Sequence, residues 1–328
     1  MYRLSPFRLF RRWSLVFAIV AGALSYFLMS SLPLPPVCRR AVLRAIPIVQ
    51  PILLFLMLFL SYSRVSLRAL RPRRSHLPLL AVQVGGLTVF SLLPAIFGWQ
   101  GDALLYAETA LLCLICPTAT ASTVVTTKLG GDAGDVVSYT FLIGLTASFL
   151  LPVFLPLLPR TPDMPVSDQT TFMSMLVAIA YHAFPVLVLP LITTALVRRF
   201  IPRLHSLVTT HSQAAFLLWL VSLSLAIAVT TRSLVHAPIS LITAAGMALV
   251  SLACCALQFA LGSWVGRRCG RRVSTAQALG QKNTVFIIWL GYTFLHPVSA
   301  LAGGFYSVWH NLYNAYQLQR EAKVREQK

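Results

Sequence analysis

Residues 277–284 read Gln277-Ala278-Leu279-Gly280-Gln281-Lys282-Asn283-Thr284, and the residues that follow, Val285–Tyr292, are almost wholly apolar. Val285–Tyr292 alone cannot cross a membrane, because a spanning helix needs about 20 mostly apolar residues for a hydrocarbon core of about 30 Å. A crossing at this point therefore carries the polar run into the membrane with it. Gly280 then eases local unwinding, five polar side chains surround it, and Lys282 stands at depth. A lysine at the centre of a spanning helix costs roughly 2.5–3.5 kcal/mol and faces a cavity or a partner. Two plainer alternatives stay open: 277–284 is a loop between spans, or the Lys282 stem snorkels to the interface.

The rest of the chain decides in favour of a membrane. Of 328 residues, 57% are hydrophobic and only 11% charged, with a mean hydropathy of +0.76. A soluble chain carries about a quarter charged residues. This excludes a soluble enzyme and a soluble nucleic-acid binder. Spans are expected near 13–32, 44–62, 77–97, 103–127, 134–158, 171–197, 211–230, 239–266, 274–292 and 298–318, joined by short connectors. Only the tail 319–328 reads as plainly solvated, so 1–328 is a single membrane domain with no soluble one. Residues 1–38 read as a retained first span: the apolar run is longer than a signal peptide's, and Pro-Pro-Val rather than small residues precedes Cys38.

The charge balance then maps topology. The chain has 27 Lys and Arg against 8 Asp and Glu. With the N-terminus inside, 21 of the bases fall on one side, among them Arg3, Arg68, Arg73, Arg271 and Lys328. Five fall on the other side (Arg39, Arg40, Arg44, Arg160, Arg232), and Lys282 alone falls within a span. Such a bias places both termini in the cytoplasm of a multi-pass protein of the cell (inner or plasma) membrane. A nucleic-acid site needs bases clustered on one face, whereas these are spread over six loops and ends. The six cysteines and seven histidines form no disulfide framework or zinc spacing. Cys113 and Cys116 read as packing, and His182, well inside a span, as a structural hydrogen bond. Glu108, Asp132 and Asp135 read as loop or gate residues. No carboxylate pair, phosphate loop or nucleophile elbow appears, so neither an enzyme nor a cofactor is expected.

Ten spans divide into two groups of five, and an odd number per group inverts the second relative to the first. Transporters built in this way place their sites at broken helices near the midplane. The fourth span of each half carries an interruption. In the first half it is Cys116-Pro117-Thr118-Ala119-Thr120-Ala121-Ser122-Thr123, where the proline removes a backbone donor. In the second half it is 277–284. The halves, 13–158 and 171–318, start 158 residues apart, and that offset carries Thr118 to 276, at the second polar run. The expectation is an all-α polytopic protein of ten transmembrane helices, in two inverted five-helix repeats with broken, crossing fourth and ninth helices.

At these residues the chain resembles the bile acid:sodium symporter family, ten-span secondary transporters. The resemblance spans nearly the whole chain. It is carried by Cys116–Thr123 with Gly131-Asp132 and Pro152, by Gly280 with Asn283, and by Tyr306-Ser307-Val308-Trp309-His310-Asn311. It implies that Ser122 and Thr140 match sodium-coordinating hydroxyls, that Thr123 takes the place of an asparagine, and that Gln83 matches a glutamine of the third helix. It also implies departures: Val136 replaces a coordinating hydroxyl, Ala278 the shared sodium-binding glutamate, and Lys282 a glutamine. Losing a carboxylate and gaining an ammonium shifts the local charge by two units, which disfavours sodium.

The implied function is secondary active or facilitative transport of a small, amphipathic organic anion by alternating access, without sodium dependence: proton-coupled, which a buried lysine makes chemically reasonable, or run as exchange or facilitated diffusion. Thr120, Ser122, Thr123, Thr140, Gln83, Gln281, Lys282 and Asn283 are the candidate binding residues. The alternative is a transport-inactive membrane receptor or sensor on the same fold. The partners expected are the anion and the lipid bilayer, with no nucleic acid.

Overall fold

The computed structural model describes residues 6–33, 35–64, 70–160, 171–210, 212–236 and 239–326. Arg3, Arg68 and Lys328 of the base map lie outside the described residues. The described chain is helical throughout, as α1 (Pro6–Ser31), α2 (Pro36–Ser63), α3 (His76–Phe97), α4 (Gly101–Ile115), α5 (Ser122–Lys128), α6 (Ala133–Phe154), α7 (Phe172–Leu187), α8 (Leu189–Phe200), α9 (Pro202–Thr210), α10 (Ser212–His236), α11 (Leu241–Arg268), α12 (Arg272–Gly280), α13 (Thr284–Phe294) and α14 (Leu301–Glu326). Single 3-10 turns sit at Leu155–Leu157 and Pro297–Ala300.

Six of these stretches are long and apolar enough to cross a membrane unaided: Arg40–Ser63, His76–Phe97, Ala133–Leu157, Phe172–Phe200, Leu217–His236 and Leu241–Arg268. Large apolar side chains cover their outer faces, among them Ile96, Tyr181, Ile242 and Leu249. Water would make such a surface costly and hydrocarbon makes it neutral. The protein is an all-α membrane protein.

Local chemistry sets the helix ends. Side-chain oxygens of Asp132, Thr171 and Ser240 accept from the backbone N–H three residues on, starting α6, α7 and α11. Gly98, Gly130 and Gly270 turn the chain after α3, α5 and α11 at φ of 61°, 77° and 66°, a region open to glycine. Pro190 lacks the N–H that would bond back to Val186, and the span expected at 171–197 is accordingly divided at Val188 into α7 and α8.

Two further differences from expectation stand out. Residues 202–210, expected as a connector, form the helix α9. The solvated tail expected at 319–328 continues α14 as far as Glu326.

Two packing groups emerge. Helices α1, α2, α7, α8 and α10 pack on one another, with α1 along α10 and α2 against α8 and α10. Helices α3 to α6 and α11 to α14 form the second group, with α11 lying along α4, α12 and α14. The groups meet where α10 touches α13 and α14, where α2 touches α13, and, most extensively, where α6 packs against α7.

Backbone-to-backbone approach holds the second group together. A methyl on Gly262 of α11 would come within 2.6 Å of the Thr275 carbonyl oxygen, and one on Gly303 of α14 within 2.7 Å of the Thr284 oxygen. Gly85 faces open space. Rigid backbone cannot give way, so Gly262→Ala and Gly303→Ala should each lose about 1–3 kcal/mol of stability by overpacking. Thermal unfolding in detergent would show lowered midpoints for both variants and none for Gly85→Ala.

Candidate functional site

The centre of the second group is a place where two helices break side by side. Pro117 bars its predecessor from helical geometry: Cys116 is extended (φ −54°, ψ 136°), and α4 stops at Ile115. In the other half, Gln281 is extended (φ −94°, ψ 103°) after α12. The interruptions are residues 116–121 and 281–283, shorter than the runs 116–123 and 277–284 read from the sequence.

The two extended pieces pair. Thr118 and Lys282 form an antiparallel bridge, in which the Ala119 N–H donates to the Gln281 carbonyl and the Asn283 N–H to the Pro117 carbonyl, each at 2.9 Å.

Breaking a helix also frees carbonyls in its last turn, and buried side chains take them up. Gln83 of α3 donates to the Leu114 and Cys116 oxygens at 2.7 and 3.1 Å. Its own oxygen accepts from the Tyr139 hydroxyl of α6 at 2.5 Å. Gln258 of α11 donates to the Cys113 oxygen at 3.1 Å. On α12, the Ala278 oxygen accepts from Thr118 at 2.5 Å and the Gly280 oxygen from Tyr306 at 2.8 Å. Asn283 caps α13, its side-chain oxygen accepting from the Phe286 N–H at 3.3 Å.

Lys282 is fully buried, and its Nζ has no hydrogen-bond partner among the described residues. It lies within electrostatic range of Cys113 and Cys116 of the α4 side and of Cys254 and Cys255 of α11. The Gln281 side-chain oxygen and His310 Nδ1 are likewise buried without a partner.

A cavity of about 20 Å³ lies beside the crossing, lined by Thr120, Gln281, Lys282, Asn283, Ser307 and His310. Met57 of α2 and Trp219 of α10 face it from the first packing group. That volume admits about one water molecule. The site thus lies between the two packing groups, which are closed on it.

Four of the expected binding residues, Thr120, Gln281, Lys282 and Asn283, meet on this cavity. The other four lie off it, and their donors are used within the protein. Ser122 donates to the Ala119 oxygen at 2.7 Å, Thr123 to Thr120 at 2.9 Å and Thr140 to Val136 at 2.8 Å. Gln83 holds the end of α4, as described above.

His310, Ser307, Tyr139 and Gln258 carry no residue-level expectation from sequence, although the Tyr306–Asn311 run pointed to the first two. Glu108 departs from its expectation. It is no loop residue but is fully buried within α4, where its carboxylate accepts from the Ser299 hydroxyl and so ties α4 to the 297–300 turn.

Asp132 and Asp135 form an ion cluster at the start of α6. Arg73 reaches them at 3.1 and 3.3 Å, Arg271 at 3.6 and 3.4 Å, and the buried His76 touches Asp135 at 3.1 Å. Every element in this cluster belongs to the second packing group or leads into it. It therefore clamps the ends of α3, α6 and α12 together. His182 bonds the Ala178 oxygen of its own helix at 2.8 Å. Among the described residues, no group of three or more His, Cys, Asp or Glu side chains could hold a metal ion.

Compared with protein-family models and with curated proteins, the chain matches none of them.

Removing the Gln83 amide strands two buried carbonyls and the Tyr139 hydroxyl. Each stranded group carries a penalty of about 1–3 kcal/mol. Gln83→Leu should therefore destabilise the fold far more than Tyr139→Phe, which leaves both carbonyls bonded. Midpoints of thermal unfolding for the two variants would show the order.

Proposed function

We propose that the protein is a secondary transporter of a small amphipathic organic anion, working by alternating access and independent of sodium. The observation that carries this is the crossing of two broken helices beside a fully buried lysine whose Nζ has no hydrogen-bond partner among the described residues. A buried ammonium without a counter-charge is costly, and intramembrane ionisable groups mark substrate and ion pathways. An arriving carboxylate or sulfate supplies the missing partner.

The proposal includes ten spans: α1, α2, α3, α4 with α5, α6, α7 with α8, α10, α11, α12 with α13, and α14. They form two inverted five-helix repeats, 13–158 and 171–318, with both termini cytoplasmic and α9 as a surface connector. The symmetry of the two breaks and the asymmetric distribution of bases support this arrangement.

Rocking of the group α1, α2, α7, α8 and α10 against the other would open the cavity alternately to either side. The N-terminal end of α13 presents the positive end of its dipole to an anion there. The resemblance to the bile acid:sodium symporters supports the same mechanism, with Lys282 standing where those proteins need a neutral ligand for sodium. An ammonium at that place replaces the cation's charge, and a proton can take over the coupling.

The test uses the purified protein in liposomes with a panel of radiolabelled medium-chain carboxylates and sulfates. Uptake should be the same with sodium or choline outside, and should respond to an imposed proton gradient. Lys282→Gln should lower it at least about tenfold, since a hydrogen bond to a charged group is worth about 1.5–3 kcal/mol. Strong sodium stimulation of the unmutated protein overturns sodium independence. Binding without flux overturns transport in favour of a receptor.

A further inference from the structure

A second cavity, of about 650 Å³, lies outside the crossing, in the groove between α3, α4 and α11. Its size falls within the range of about 300–1,000 Å³ usual for small-molecule sites. The lining is apolar from end to end: Trp99 after α3, Tyr106, Ala110 and Leu114 along α4, and Ala253 and Leu257 of α11. Among the described residues, no charged side chain lines it.

The groove has a direction. Trp99 and Tyr106 lie toward the turn that joins α3 to α4, and such amphipathic rings favour the membrane–water boundary. Leu114 lies in the last turn of α4, at the crossing. From Ala103 to Leu114 the groove follows α4 for about 16 Å at 1.5 Å per residue. Half of a hydrocarbon core is about 15 Å. The groove is thus as long as one leaflet is thick, with its mouth at the interface and its floor at the midplane. At the mouth, α4 is held to α11 by the Thr243 hydroxyl, which donates to Asp102 at 2.8 Å. Alanines at 103, 107, 110 and 253 leave the groove unfilled by the protein's own side chains.

We infer that this groove is a binding site for one acyl chain of a bilayer lipid, taken from the leaflet opposite the Arg-rich connectors. A chain of methylenes matches its length and its lack of polar groups, and leaves the headgroup at the interface beside Trp99 and Tyr106. The floor of the groove includes Cys254, one of the thiols around Lys282. A bound chain therefore backs the wall behind the lysine and supports the broken end of α4. The leaflet assignment rests on the proposed topology; the site itself rests only on the membrane embedding of α3, α4 and α11.

Native mass spectrometry of the purified full chain, washed extensively in detergent and re-exposed to phosphatidylethanolamine, tests the site without measuring transport. The expected result is one phospholipid adduct per chain that survives activation energies at which annular lipid is lost. Ala253→Phe and Ala103→Phe, both at exposed positions on the groove wall, should abolish it. Leu249→Phe, on the lipid-facing side of α11 but outside the groove, should retain it. Thermal unfolding of the variants shows that they are folded. Absence of a retained adduct, an adduct that the groove-filling variants keep, or a retained molecule that is not a lipid would overturn the inference.

Discussion

Two peptide hydrogen bonds between Pro117–Ala119 and Gln281–Asn283 hold together a place where two helices have given up their own. In a membrane interior no water is at hand to take an unpaired N–H or C=O, and each orphan costs several kcal/mol. A helix can break there only if another broken helix, or a side chain, satisfies what it releases. The antiparallel bridge between Thr118 and Lys282 is that mutual solution. It explains why the two interruptions lie side by side instead of occurring independently.

Much of the surrounding polarity follows from the same constraint. The glutamines at 83 and 258, the tyrosines at 139 and 306 and the threonine at 118 bind freed carbonyls or one another. They serve the freed backbone directly or through one another, and all of them are buried. Against this background, the few polar atoms left without a partner at the cavity, on Gln281, Lys282 and His310, acquire meaning. Among the described residues, buried atoms of Gln258, Gln277 and Asn314 also lack a partner, but Lys282 Nζ and His310 Nδ1 are the nitrogens left so at the cavity, and it is on them that the proposed anion site rests.

The ion cluster of Arg73, Arg271, His76, Asp132 and Asp135 and the glycine contacts at 262 and 303 belong to the same design. All of them tie α3 to α6 and α11 to α14 into one body around the crossing. The helices across the cavity, α2 and α10, meet this body at α13 and α14, with Met57 and Trp219 facing the cavity. The body that carries the polar site also packs against the first group through α6 and α7.

Membrane embedding, the positions of the long helices and both interruptions were legible in the chain itself. Hydropathy and the cost of burying backbone are local properties that a linear sequence carries. Pro117 announces the first break because its ring excludes a helical residue before it. Gly280 and Lys282 announce the second because the apolar run behind them is too short to cross alone. Which polar side chains serve the backbone and which remain free was not legible. Gln83 and Lys282 look equally functional as isolated letters in an apolar context. Only the tertiary structure separates them, because hydrogen-bond satisfaction depends on partners that lie 31 or more residues away along the chain. Likewise, Glu108 seemed to belong to a span end until packing placed it against Ser299, 191 residues on. The sequence by itself determined that the chain is apolar enough for a membrane and marked the two places where its helices are interrupted. The tertiary structure decided how each break is satisfied, and so which buried groups keep no partner, because those partners come from distant parts of the chain.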